Sequence, residues 1–463
     1  MKKVLLAILI VFVATTVWAG SSVDPTDTTK RVLREREYQV IGTPQVKFDL
    51  SGEFSAQGYY WDNYALASDD TVTNTFYKGY LSLFPKLTVG DTTVFMKVNM
   101  RDEVWGDVSH YSGQEDSDVW PYMVSDDSND NINIELAYMS HKFASTETLL
   151  DLGLMQGQWW ATTFGDKMEP RYRVKVVQNT PVGPVIAILE KNAELGDPDV
   201  EDSEKDDGDT YHLAMITKLG TVYVKPLITY YDRSSKLEDQ GSDGVQVLQY
   251  SLGLDGTLGP IEFESEFNYR ITGFEDLKDY TAANPLYAYA KDASTLGAYV
   301  NVFKTMDFGK PGLILMYTEW DDKGGPLGSG YGTDSRQDFK ANLILGDEIG
   351  FGGSAWQPAE DLVGMTMIKP YVKGVKIMDN LTCDASFAYI MSNQDAYSAA
   401  VTYYMGANPY EDATAMEVDL GLNVKVTPNL YYMVDAGYAN IDFDDVDDPD
   451  PVMLLKHEML FTF

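Results

Sequence analysis

Cysteine is almost missing from this chain of 463 residues, and Cys383 is the only one. A single thiol supports no disulfide framework, no cysteine-based metal site and no Cys-x-x-Cys-His haem attachment. Histidine is scarce as well. His110, His141, His212 and His457 are the four, and no pair has the His-Glu-x-x-His spacing of a zinc site. The nucleophile-elbow pattern Gly-x-Ser-x-Gly does not occur. These gaps argue against an enzyme. Positive charge is also short, with 35 Lys and Arg against 71 Asp and Glu, for a formal charge of −36. Nucleic acid is excluded as a partner, because phosphate binding needs clustered Lys and Arg. Long apolar runs are missing too. The longest candidate, Val4 to Val13, falls well short of the roughly 20 residues of a membrane-spanning helix.

That short run has a different reading. Lys2 and Lys3 precede it, and Val17-Trp18-Ala19 offers a cleavage site before Gly20. This is the three-part pattern of a secretory signal peptide over residues 1–19. Losing Lys2 and Lys3 with it takes the charge to −38. Residues 20–44 read as a separate periplasmic extension. Asp27 or Thr28 caps a short helix carrying Lys30, Arg31, Arg34 and Arg36, the one dense basic cluster. It serves either as a solvated tail or as a segment that contacts acidic lumen walls.

What is plentiful begins at residue 45. Aromatics make up 13% of the chain, 31 of them Tyr, and Gly numbers 38. From Val46 the pattern has period two. Val46, Phe48, Leu50, Gly52, Phe54, Ala56, Gly58 and Tyr60 form one face, and Lys47, Asp49, Ser51, Glu53, Ser55 and Gln57 the other. Successive strand side chains point to opposite faces, so this is a two-faced strand. The pattern returns in Val94–Met100 with Lys97 and Arg101 on the polar side, and in Ile132–Tyr138. It returns again in Ile261–Ile271 and in Met416–Val426. Short turns occur near Thr88–Asp91, Ala144–Thr148, Pro181–Pro184, Gly220, Asp255–Pro260, Asp307–Pro311, Asp379–Asn380 and Thr427–Asn429. Longer, mostly acidic loops fall between them, near 62–74, 106–130, 193–208, 233–244, 273–293, 322–361, 393–412 and 442–450. Short turns on one side and long loops on the other describe a transmembrane, antiparallel, up-and-down β-barrel over residues 45–463. The tally is about 18 strands, within a range of 16–20. A soluble sandwich fits less well, since its strands average five or six residues.

The last strand carries the export signal. Met453, Leu455, His457, Met459, Phe461 and Phe463 share a face, and the chain ends on Phe463. An alternating last strand with a terminal Phe resembles the signal read by the Gram-negative outer-membrane assembly machinery, with Phe461 and Phe463 as its residues. With the leader and the turn and loop layout, residues 45–463 resemble the outer-membrane porin superfamily. The resemblance implies an outer-membrane location, a bilayer and lipopolysaccharide environment, and a homotrimer. It also implies a water-filled diffusion channel for small hydrophilic solutes and ions, often narrowed by an infolded loop.

Candidate lumen residues follow from the alternation. Glu262, Glu264 and Glu266 project inward from one strand, and Arg171, Arg173 and Lys175 from another. Facing rows of opposite sign set a transverse field at a narrow point, or are simply solvated wall. Lys97 and Arg101 join the pore-lining set. The 322–361 loop is the candidate constriction, because it holds the apolar Leu343-Ile344-Leu345 between Gly-rich stretches at Gly324–Gly330 and Gly350–Gly353. A hidden strand pair is the equal alternative there.

No cofactor is expected. The acidic stretches Asp197–Asp209 and Asp442–Asp450 give only a weak calcium signal. In a closed barrel the last strand lies beside the first. Its outward face then holds the small residues Gly52, Ala56 and Gly58 together with His457, which reads as a seam against neighbouring subunits. The acidity favours a passive channel with cation preference. The alternatives are a substrate-selective channel, or a barrel that sheaths or anchors a partner protein.

Overall fold

The computed structural model describes residues 46–63, 73–104, 132–157, 160–164, 170–193, 208–233, 245–274, 293–320, 332–333, 339–346, 349, 351, 362–395, 408–443 and 449–463. The leader, the 20–44 extension and both acidic stretches proposed for calcium fall largely or wholly outside them.

Period-two segments become strands. They are β1 (Val46–Asp62), β2 (Asn74–Val89), β3 (Thr92–Val104), β4 (Ile132–Phe143), β5 (Thr148–Gln156), β6 (Pro170–Gln178) and β7 (Val185–Ala193). There follow β8 (Gly208–Met215), β9 (Thr217–Leu219), β10 (Val222–Arg233), β11 (Val245–Leu258), β12 (Ile261–Phe274), β13 (Ala293–Phe303) and β14 (Lys310–Thr318). A two-residue pair, β15 (Gly332–Thr333) and β16 (Leu362–Val363), lies in the long connection that follows β14. The remainder are β17 (Met365–Met378), β18 (Leu381–Ser392), β19 (Thr414–Thr427), β20 (Leu430–Asp442) and β21 (Val452–Thr462).

Every neighbour in the wall is antiparallel. β8 and β9 are one strand interrupted at Ile216, since both pair with β10. Counting them together gives an 18-stranded wall. It closes through β1 and β21, from Glu53 opposite Thr462 to Asp62 opposite Met453. Gly52 and Phe463 complete the seam by exchanging backbone hydrogen bonds of 2.9 and 3.0 Å. A closed wall leaves no unpaired strand edge, the condition for a sheet to cross lipid. Most strands reach the roughly 9–11 residues that a tilted span needs.

The tight turns lie at one end of the wall. At Gly90 and Gly220 the backbone has φ near +60°, which glycine adopts without a Cβ clash. The long connections lie at the other end. The outward faces are apolar: Val46, Phe48, Leu50, Phe54 and Tyr60 on β1, and Met416, Val418, Leu420 and Leu422 on β19, are all exposed.

One strand departs from simple alternation. A register shift between Lys97 and Val98 offsets β3 against β4. Ile132 and Ile134 stay outward, but beyond the shift Tyr138 meets Phe95 on the Lys97 face, ring centroids 5.3 Å apart. Leu136 and Tyr138 therefore do not share the face of Ile132 and Ile134. A β-bulge adds one residue and reverses the phase after it.

Candidate functional site

The core of this molecule is inside the barrel. Alternate residues on eight consecutive wall strands form one buried apolar surface. Among them are Tyr299 on β13, Met316 on β14, Met365 and Met367 on β17, Ile390 on β18, Ile441 on β20, Leu454 on β21 and Trp61 on β1. Phe339, Ala341, Ile344, Leu345, Ile349 and Phe351, from the 321–361 connection, pack onto it. Ile344, Leu345 and Phe351 have no exposed surface. Gly437 makes this possible, because a Cβ there would press on Ile344. The connection between β14 and β17 thus turns its apolar stretch into the lumen, and the two-residue pair of β15 and β16 adds no strand to the wall.

Polar groups fix this stretch. The Glu417 carboxylate, wholly buried, accepts the backbone N–H groups of Ile344 and Leu345 at 2.6 and 2.8 Å, one on each oxygen. Lys369 donates to the carbonyl of Ala341 at 2.7 Å and pairs with Asp419 at 3.3 Å. Asn342 donates to the carbonyl of Leu345. Buried backbone donors need acceptors, and here the barrel wall supplies them.

A second segment, residues 160–164 between β5 and β6, also crosses the lumen. It reaches strands several places round the wall. Trp160 Nε1 donates to the carbonyl of Lys225 on β10 at 2.9 Å. The Ala161 Cβ sits against Gly253 on β11, where any larger residue would collide. Both the N–H and the hydroxyl of Thr162 donate to Glu266 Oε2 on β12, at 3.0 and 2.7 Å. Asn268 donates to the other oxygen. Ala161 has φ +58°, a left-handed conformation costing about 1–3 kcal/mol in a residue with a side chain. The three wall contacts hold it there. Phe164 then stacks on Tyr299 and meets Phe339 edge-on, with centroids 5.7 and 5.5 Å apart. The two inward segments touch at this aromatic group.

The basic row on β6 is less bare than its sequence suggests. Arg173 is buried and forms an ion pair with Glu190 of β7, while also donating to the carbonyl of Gln156. His212 of β8 stands 3.5 Å from the same carboxylate. Lys175 pairs with Asp151 at 3.0 Å. Arg171 shares their face. Lys97 pairs with Glu135 at 2.6 Å. The side chain of Arg101 lies outside the described residues.

The acidic row on β12 divides by depth. Glu266 holds the 160–164 segment. Glu264 accepts from Tyr299 and Asn301, and Glu262 from Thr305. Four strands lie between the two rows on the shorter way round the wall. Each is neutralised or hydrogen-bonded by its own neighbours.

The Gly52, Ala56, Gly58 and His457 group has partners within the chain. The Phe463 ring covers Gly52, and the His457 ring covers Gly58. His457 lies between Tyr77 and Tyr432, with centroids 6.1 Å from each. Glycine opposite an aromatic ring is a cross-strand packing device. The small residues therefore have an explanation that needs no second subunit. Phe461 stacks on Phe463 at 5.8 Å.

Sequence reasoning missed Glu417, Glu190, His212 and the whole 160–164 segment. The Trp159-Trp160 pair and Phe164, aromatic residues in a stretch without alternation, were the available signal for the last.

No protein-family model matches the chain. No curated protein matches it in sequence. Solved structures do match in shape. Pseudomonas aeruginosa OccK8 (OprE) superposes with a TM-score of 0.51 at 10% identity, over 90% of this chain and 98% of that one. Pseudomonas aeruginosa OprD gives 0.50 at 13% identity, over 92% and 99%. Acinetobacter baumannii OccAB4 gives 0.50 at 10% identity, over 91% and 100%. At such identities the likeness is one of fold. The chain is an all-β, 18-stranded, closed antiparallel barrel, and it shares its barrel fold with these structures.

Proposed function

We propose that this protein is a diffusion channel of the Gram-negative outer membrane, passing small hydrophilic solutes and ions with a preference for cations. The observation that carries the reading is an apolar outer wall enclosing a polar lumen crossed by two anchored segments. A barrel of about 16–18 strands encloses an aqueous channel. Segments laid across it narrow the passage without closing the wall. Their attachment to Glu266 and Glu417 supports a fixed constriction.

The cation preference rests on the acidity of the whole chain, with 71 Asp and Glu against 35 Lys and Arg, and on which wall charges are left over apart from the lysines of the turn end. Lys97, Arg173, Lys175, Lys225 and Lys369 each form an ion pair with a carboxylate. Glu264, Asp384 and Glu458 instead accept from neutral donors: Tyr299 and Asn301, Gly374 and Asn423, and Ser55. Uncompensated carboxylates in a low-dielectric wall concentrate cations.

The test is a planar bilayer holding the purified protein across a KCl gradient. A reversal potential of the sign set by potassium is expected. A chloride-selective potential would overturn the cation preference, and a bilayer without conductance would overturn the channel.

A further inference from the structure

Four lysines at the turn end of the lumen are held by aromatic rings and not by carboxylates. Lys218, Lys310, Lys373 and Lys425 share the inward face with Tyr223, Phe303, Tyr371 and Tyr431. Each ammonium lies over one of those rings. The distances are 4.9 Å for Lys218 over Tyr223, 3.4 Å for Lys310 over Phe303, 5.5 Å for Lys373 over Tyr371 and 5.8 Å for Lys425 over Tyr431. None of the four forms an ion pair among the described residues. A ring face attracts a cation through its quadrupole and carries no net charge. It fixes the lysine against the wall and leaves the positive charge in place. A carboxylate partner, as at Lys97 or Lys175, cancels it.

Acids at this end do not offset the group. Glu262 and Asp384 are carboxylates on the same inward face, the first hydrogen-bonded to Thr305 and the second to Gly374 and Asn423, two against the four lysines and Lys86. Asp255 is paired with Lys225, and Asp49 with Lys47. The turn residues Asp91, Glu147, Asp307 and Asp379 stand with Lys142, Lys304 and Lys376, the last 2.8 Å from Asp379. Lys86 adds a further exposed cation on the inward face of β2. The turn end of the lumen is therefore net positive.

Farther in, the sign reverses. Glu53, Asp435 and Glu458 occupy the inward face from β20 round to β1, and they outnumber Lys456 and Lys78, which both lie over Tyr59. Lys425 is opposite Tyr431 on β20, four residues below Asp435. At about 3.3 Å per residue the two zones are roughly 13 Å apart along the strand. That exceeds the screening length of about 10 Å at 0.1 M salt. The zones act separately there, and strong salt screens out the field of each.

We infer that the lumen is a bipolar pore, acidic inward and basic at the turn end, and that it conducts ions more readily in one direction than in the other. The inference rests on the channel reading above. When the loop side is positive, cations enter through the acidic zone and anions through the lysine zone. Both accumulate at the junction and the current is large. With the loop side negative, both are drawn out of the junction and it depletes. The pore then acts as a rectifier through fixed charge, with no moving part.

Single-channel currents at opposite polarities decide this, with channels oriented by one-sided addition. At about 0.1 M KCl the wild type should pass more current with the loop side positive, and at about 1 M, where screening falls to about 3 Å, the two polarities should become equal. The combined variant Lys218→Gln, Lys310→Gln, Lys373→Gln and Lys425→Gln should lose the asymmetry at low salt. The same four positions changed to Arg should keep it, because the charge and the ring contact both remain. Equal currents in the wild type at low salt, or rectification unchanged in the Gln variant, would overturn the inference while the channel reading stands. A protein that never conducts would overturn the channel reading instead.

Discussion

The two segments that cross the lumen are held in contrasting ways. Residues 339–346, with Ile349 and Phe351, bury apolar side chains on eight wall strands and place two consecutive backbone N–H groups on one buried carboxylate. Residues 160–164 bury little beyond Phe164 and are held at spaced points by Trp160, Ala161 and Thr162. The first behaves as part of the barrel core. The second is a strap fastened over an open stretch of wall. The difference shows how a polar lumen can support an ordered constriction. One route extends the hydrophobic core inward. The other relies on a few directional bonds and on a glycine that permits close approach.

Breaking the Glu417 anchor should have the largest effect. Glu417→Ala leaves the amides of Ile344 and Leu345 without acceptors inside an apolar cluster, at a cost of about 1–3 kcal/mol for each group. About 3 kcal/mol in total corresponds to roughly a hundredfold faster amide exchange at those two residues. Hydrogen exchange measured in detergent micelles checks this. Protection unchanged in the variant would mean that apolar packing alone seats the segment.

Glu266→Ala is the matching change for the strap, with a smaller expected effect. It removes the acceptor for one N–H and one hydroxyl of Thr162, while Trp160 and Phe164 keep their contacts. A loss of about 1–2 kcal/mol should raise exchange at Thr162 by roughly tenfold. An effect as large as that of Glu417→Ala would erase the distinction between core and strap.

Much of this architecture was legible in the sequence. The outward apolar face of β1, the short turns and the pairing of the last strand with the first all follow from period-two alternation, and they are present. The Leu343-Ile344-Leu345 stretch stood out because three apolar residues in a polar connection need something to pack against. Other features were hidden for a physical reason. Glu417 is one acid in a regular polar row, and nothing local marks it as the residue that a connection more than 70 positions earlier will meet. The Arg173 and Glu190 pair joins neighbouring strands, so a row of bases read along β6 alone looked uncompensated. The phase reversal in β4 arises from one bulged residue, which alternation within the strand does not reveal.

The central claim is that both segments narrow one open, water-filled lumen. Single-channel conductance of the combined Glu266→Ala and Glu417→Ala variant, compared with the wild type in the same salt, tests it most directly. With both anchors removed, the variant should show larger and noisier unitary currents while remaining a folded barrel on a heat-shift gel. A folded variant with the wild-type conductance would contradict the account, because the two segments would then not set the width of the path.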